Sequence, residues 1–300
     1  MFQVPQAVKS FFDSVPLKTI TDQPTLLSPQ DIYYFRGMGK HPDGHFTLGV
    51  FNTIKINDHV VPSDPISLGL SLILANKNQM GLPTGLAAAF GWRNGIIKTS
   101  YMSSKTNVLP ILIEDTSDNE RNIKTLDIVN HELVINNFTN LESKQINELI
   151  DIKFYDIWLL CILTENLSYD TLTQIFGVGE STNKLIQQAE ILEFLNEIPH
   201  WNSFRNRHPY LFDNWTSIQH LESKHLSNYY KQELAQFSKN FDLIIDYLSD
   251  SNESSSEKDI IKFKVAGYMS IIDHLLKDTK LYQVINQRSE FVKQCYTLMK

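Results

Sequence analysis

The chain has 300 residues, of which 42% are hydrophobic and 20% charged, a balance that can bury a core and lies far from the apolar depletion of disordered chains. Its formal net charge of −7 supplies no global positive field for phosphate backbones, so nucleic acid is not an expected partner. The two cysteines, Cys161 and Cys295, have no C-x-x-C spacing, so neither a disulfide framework nor a zinc site is expected, and the composition suits a reducing compartment.

The N-terminal stretch, 1–45, reads as an extension. Pro5, Pro16, Pro24, Pro29 and Pro42 favour short extended pieces and turns, with one amphipathic turn at Val8, Phe11 and Phe12. It lacks a secretory apolar run and an Arg-rich, acid-poor transit pattern, so synthesis in the cytoplasm without import into an organelle interior is expected. After the Pro42-Asp43-Gly44 turn signal, 46–56 (FTLGVFNTIKI) is rich in β-branched and aromatic residues and predicts the first core strand.

Ser63, Asp64 and Pro65 mark a helix start, since Asp64 can accept from unpaired backbone donors and Pro65 suits the first helical position. The helix is expected to run to about residue 76, and its apolar residues nearly encircle it, which predicts burial on all sides. An irregular crossover follows over 81–95, with an apolar plug at Ala87, Ala88, Ala89 and Phe90. Strands are expected at 96–102, at 108–113 headed by Pro110, and at 122–124 after a turn at 118–121. Thr125 is then expected to cap a helix carrying Leu126, Ile128, Val129, Leu133 and Val134, with Asp127 in its positive first turn.

From about residue 141 the texture is helical, with clear periods over 141–165, 169–176, 181–195, 221–248 and 259–278. The run 251–257 (SNESSSE) reads as a disordered loop between helices. The expected layout is therefore an α+β domain over 46–138 followed by an all-helical domain over 139–300. The longest apolar runs, 108–113 and 157–163, fall far short of the ~20 residues a membrane-spanning helix needs.

A proline at the head of a short strand, then a hairpin and a hydroxyl-capped helix, resembles the thioredoxin-like domain of glutathione transferases. In that superfamily the proline bend exposes a backbone edge and an all-helical domain follows. Six segments carry a closer resemblance, to the metaxin-like receptor subunits of the fungal mitochondrial sorting and assembly machinery. They are 4–18 (VPQAVKSFFDSVPLK), 46–52 (FTLGVFN), 63–83 (SDPISLGLSLILANKNQMGLP), 108–114 (VLPILIE), 155–158 (YDIW) and 261–268 (IKFKVAGY). The resemblance implies a non-enzymatic peripheral protein on the cytosolic side of the outer membrane. Its implied partners are the barrel-forming insertase subunit, a second metaxin-like subunit and β-barrel precursors, whose C-terminal sorting signal, the β-signal, it would help recognise.

The alternative is a divergent glutathione-dependent transferase, which needs a hydroxyl or thiol near the first helix to stabilise a thiolate. Ser63 and Thr53 are the candidates, but Ser63 is read as part of the helix start. Where the superfamily has an acid or amide before the capping hydroxyl, this chain has Lys124 before Thr125. Asp64, Pro110 and Thr125 are therefore expected to be structural, with no catalytic residue, cofactor or metal.

Other groupings have plainer readings. His41, Asp43 and His45 lie in a solvated turn, and His131-Glu132 has no partner histidine. Cys161 belongs to an apolar run, and Asp156, beside Trp158, reads as a buried tether rather than as half of an acid pair with Asp151. Lys55, Arg93, Lys98 and Lys105 read as solvated charges. Trp201, Phe204, Arg205, Arg207, His208, Tyr210 and Trp215 interleave aromatic and basic side chains; Trp201, Arg205 and Arg207 are the candidates for partner contact, against a reading as core aromatics with a solvated basic edge.

Overall fold

A computed structural model describes residues 32–37, 45–85, 93–115, 121–179, 183–211, 224–249 and 256–299. The 4–18 segment, the alanine plug, His41, Asp43 and Trp215 lie outside them. Residues 31–300 pack as one compact unit. Five strands form the main sheet in the order β1 (Ile32–Tyr34), β5 (Gly95–Lys98), β2 (His45–Val50), β6 (Ile111–Asp115) and β7 (Arg121–Lys124). β2 runs parallel to β5, and every other neighbouring pair is antiparallel. A parallel pair needs a crossover, supplied here by α1 (Pro65–Asn78). The peptide before Pro110 is cis.

The expected strand over 46–56 is two pieces. β2 stops at Val50, and β3 (Thr53–Ile56) turns back through β4 (His59–Pro62) as a separate hairpin. Asn52 makes the break: its Nδ2 donates to the carbonyls of Thr173 and Gln174 at 3.2 and 2.9 Å, and its Oδ1 accepts from the Thr53 amide at 2.9 Å. Those bonds turn the chain toward the helical half. The two-residue hairpin turn places Asn57 at φ 53°, a left-handed conformation that asparagine tolerates.

α1 is capped as expected, the Ser67 amide donating to Asp64 Oδ1 at 2.9 Å. It is buried on both sides, against the sheet and against α8 (Ser256–Leu275). The two helices cross with Gly69 facing Gly267. A Cβ added at Gly267 would stand 2.3 Å from the Pro65 carbonyl oxygen and 2.7 Å from the Gly69 nitrogen, so only glycine fits.

The expected strand over 96–102 ends at Lys98, because Ser100 caps a 3₁₀ turn at Tyr101–Ser103. The strand headed by Pro110 begins at Ile111 rather than at Val108. α2 (Leu126–Leu133) starts after Thr125, whose side chain makes no capping hydrogen bond, so the cap read from its hydroxyl is corrected to a position without that bond.

The helical half holds α3 (Leu141–Leu149), a π-helical turn at Ile150–Phe154, α4 (Tyr155–Thr164), α5 (Tyr169–Phe176), α6 (Lys184–Glu197), α7 (Lys224–Ser249), α8, α9 (Lys280–Asn286) and α10 (Ser289–Thr297). α4 is buried from Tyr155 to Leu163, and α7 buries Tyr230, Leu234, Phe237, Phe241 and Ile244, the four-three spacing of a single face. Ser256 and Glu257, expected in the disordered loop, form the first turn of α8 instead. Glu257 Oε1 accepts from the Thr139 amide and hydroxyl at 2.8 and 2.6 Å, which ties that turn down. The architecture is an α+β thioredoxin-like region followed by an all-helical region, the arrangement of glutathione transferases.

Candidate functional site

A cleft of about 510 Å³ opens between the two regions. One wall is the start of α1 (Pro65, Ile66, Gly69, Leu70) with Thr106 and Val108 before the cis proline; the other is Asp151, Tyr155, Trp201, Lys264 and Tyr268. Leu126, Asp127 and Asn130 of α2 also line it. This is a concave site of ordinary ligand size, its lining divided about evenly between polar and apolar groups.

Ser63 and Lys124, two of the positions weighed in the sequence for thiol chemistry, are otherwise engaged. Ser63 is fully buried, and its hydroxyl donates to the Ile175 carbonyl at 2.6 Å, pinning α5 to the start of α1. Thr53 lies in the β3–β4 hairpin. Lys124 Nζ sits 2.8 Å from Glu114 and 2.6 Å from Glu132, so the lysine in place of an acid or amide clips β6, β7 and α2 together. Asp64 is buried, and burial pushes its carboxyl up to about 6 against the lowering effect of its bonds to Ser67.

The polar centre of the cleft is a network that sequence patterns did not reveal. Lys264 Nζ pairs with Asp151 and donates to Asn147 Oδ1 at 2.7 Å, while Asp151 Oδ2 accepts from Asn147 and Asn130 at 3.0 and 3.3 Å. Asp151 stands on the π-helical turn, one turn after its partner Asn147. Asn130 belongs to α2 and Lys264 to α8, so the network closes one end of the cleft across both regions. All three ammonium hydrogens have partners, which makes the lysine a tie rather than a free base.

Asp156 is a buried tether, as read from the sequence. Arg207 binds it through Nε and Nη2 at 2.8 and 2.6 Å, and His208 Nε2 lies 2.9 Å away. Burial pushes the Asp156 carboxyl up, but the hydrogen bonds and charges of Arg207 and His208 outweigh it and hold the group below its ordinary value. Arg207 is thus spent on the core. Trp201 is 4% exposed, stacked on Phe51 with ring centres 5.5 Å apart and edge-on to Phe194, so it too is a core side chain. Of the three candidates for partner contact, Arg205 alone is exposed.

The remaining candidates are not brought together. Burial pushes the Cys161 thiol up to about 12, far from a reactive thiolate. His45 pairs with Asp115 at 3.3 Å, and no cluster of three or more metal-ligating side chains occurs among the described residues. Lys55, Arg93, Lys98 and Lys105 are exposed and none lines the cleft.

Residues 2–114 match a family described as "SAM35, subunit of SAM complex". Over its whole length the chain is 24% identical to the "Sorting assembly machinery 35 kDa subunit" of Saccharomyces cerevisiae, covering 98% of that protein. The family match spans the N-terminal stretch and the sheet as far as β6; the relative extends the likeness through every helix. Both comparisons point to one subunit, the 35 kDa subunit of the sorting and assembly machinery, in agreement with the resemblance carried by the six sequence segments.

Proposed function

We propose that this chain is a non-enzymatic, peripheral subunit of the sorting and assembly machinery, held at the cytosolic face of the mitochondrial outer membrane. Its partners there are the barrel-forming insertase subunit and a second metaxin-like subunit. With them it helps recognise the β-signal of β-barrel precursors and carry those precursors into the membrane. Full-length likeness to a subunit of that machinery carries the reading. No helix among the described residues is long and apolar enough to cross a membrane, which agrees with attachment through partners.

The bonds of Ser63, Lys124 and Lys264 support the non-enzymatic part. These three side chains are each committed to holding two elements together, whereas the Tyr155 hydroxyl, in the cleft lining, makes no hydrogen bond among the described residues. A glutathione-dependent transferase is the second reading, favoured by the scaffold and the cleft beside the cis proline. Two measurements separate them. Affinity capture from a solubilised outer-membrane fraction recovers the barrel-forming insertase if the first holds; recovery only as a free monomer, with retention on immobilised glutathione, would support the second.

A further inference from the structure

β7 ends the main sheet, and no strand among the described residues pairs with its outer side. An edge strand leaves a row of backbone donors and acceptors open to another chain, and proteins usually guard such a row with projecting charges, a proline or a bulge. β7 reads Arg-Asn-Ile-Lys, with no proline, and it keeps an unbroken one-to-one register with β6 from Leu112↔Lys124 to Asp115↔Arg121.

Both of its charges are turned back onto their own sheet. Arg121 grips Asp115 of β6 through Nε and Nη2 at 2.7 and 3.1 Å. Lys124 is held between Glu114 and Glu132, and its side chain is only 15% exposed. On the face it shares with Ile113 the edge presents Ile123, which is 50% exposed.

We propose that this edge docks an extended polypeptide segment with alternating apolar residues, which adds to β7 as a further antiparallel or parallel strand. The open backbone groups select the occupant, because only another strand satisfies them in a row. Ile123 receives its apolar side chains, and the inward-paired charges leave no repulsive group for it to displace. The other end of the sheet is less suited: β1 is three residues long and runs into the Arg36–Gly81 bridge. The site is separate from the cleft, whose lining includes no residue of β7. The inference rests on the reading of this chain as a subunit that handles β-barrel precursors, since their segments are strands of this alternating kind.

The test uses the full chain and a fluorescein-labelled synthetic peptide in which valine alternates with serine and lysine. Fluorescence anisotropy should show saturable binding, weakened about tenfold by Ile123→Lys, the loss of about 1.4 kcal/mol of contact. Ile128→Lys, on α2 at the opposite side of the sheet, should leave it unchanged, and both variants should keep the thermal midpoint of the parent because the positions are exposed. Peptides N-methylated at alternate amides should lose binding in one register and keep it in the other, since a strand points successive amides to opposite sides. Binding unchanged by Ile123→Lys and equal for both N-methylated registers would overturn the edge site. So would a chain that dimerises through the same position, which would assign the edge to a second copy. Capture of the insertase is read separately: if it succeeds while the peptide fails to bind, the edge proposal falls and membership of the machinery stands.

Discussion

Asp64 and Glu257 carry two opposite pH signatures. The Asp64 carboxyl is pushed up to about 6 by burial, so in the folded protein its ionisation is opposed. Its contribution to stability is full below the ordinary carboxylate value and is lost as the pH rises through about 6. Asparagine keeps the cap without the charge. Asp64→Asn should therefore remove that loss and hold the urea midpoint level between about pH 4 and pH 8, whereas Asp64→Ala should cost about 1 kcal/mol at pH 4 and less at pH 8. Glu257 behaves in reverse. Burial opposes its ionisation, but hydrogen bonds from Ser143, Thr139 and the Thr139 and Asn140 amides outweigh it and bring it to about 2. Its contribution is present above the ordinary glutamate value and disappears as the pH falls toward about 2. Glu257→Gln should flatten that acid limb in the same titration; an unchanged limb would show that the bonds to Thr139 do not hold α8 to α3.

Among the elements, the close crossing of α1 and α8 is the most exacting contact. Gly267→Ala should lower stability by about 1–3 kcal/mol through overpacking, because the atoms it meets are backbone and cannot rotate away. Thermal melting checks it, and a midpoint equal to that of the parent would mean that the helices sit farther apart. Much of this level was legible. α1 announced its burial through apolar residues on all sides, and Ser63, Asp64 and Pro65 announced its start. The errors have local causes. Asn52 stands inside a β-rich run, and only its bonds to Thr173 and Gln174, more than a hundred residues away in sequence, turn one expected strand into two. β1 is too short to show alternation. α9 and α10 are brief, and each buries only a pair of side chains, Leu281 with Ile285 and Val292 with Cys295, so neither shows a clear helical period. The first turn of α8 hid in a serine-rich run because its anchor, the Thr139 amide, lies 118 residues upstream.

At the scale of the whole molecule, the scaffold was readable and the cleft was not. Pro110, the succession of strands and helices along the chain and the change to helical texture pointed to a transferase-like architecture, while Lys264 gave no signal. A lone lysine in a helix becomes part of a site only when folding brings Asp151, Asn147 and Asn130 to it. The aromatic and basic cluster shows the converse. Trp201 and Arg207 have the composition of a contact surface, yet Phe51 and Asp156 draw them inward. Ser63, Lys124 and Lys264 likewise serve to join elements of the fold.

The most direct test depletes this chain from mitochondria and follows radiolabelled precursors into them. Assembly of a β-barrel precursor should stall while import of a matrix protein continues. Wild-type chain should restore assembly, and so should Ser63→Ala supplied at a temperature where that variant is folded, since no thiol chemistry is involved. Undiminished β-barrel assembly after depletion, or rescue by wild type but not by folded Ser63→Ala, would contradict the account.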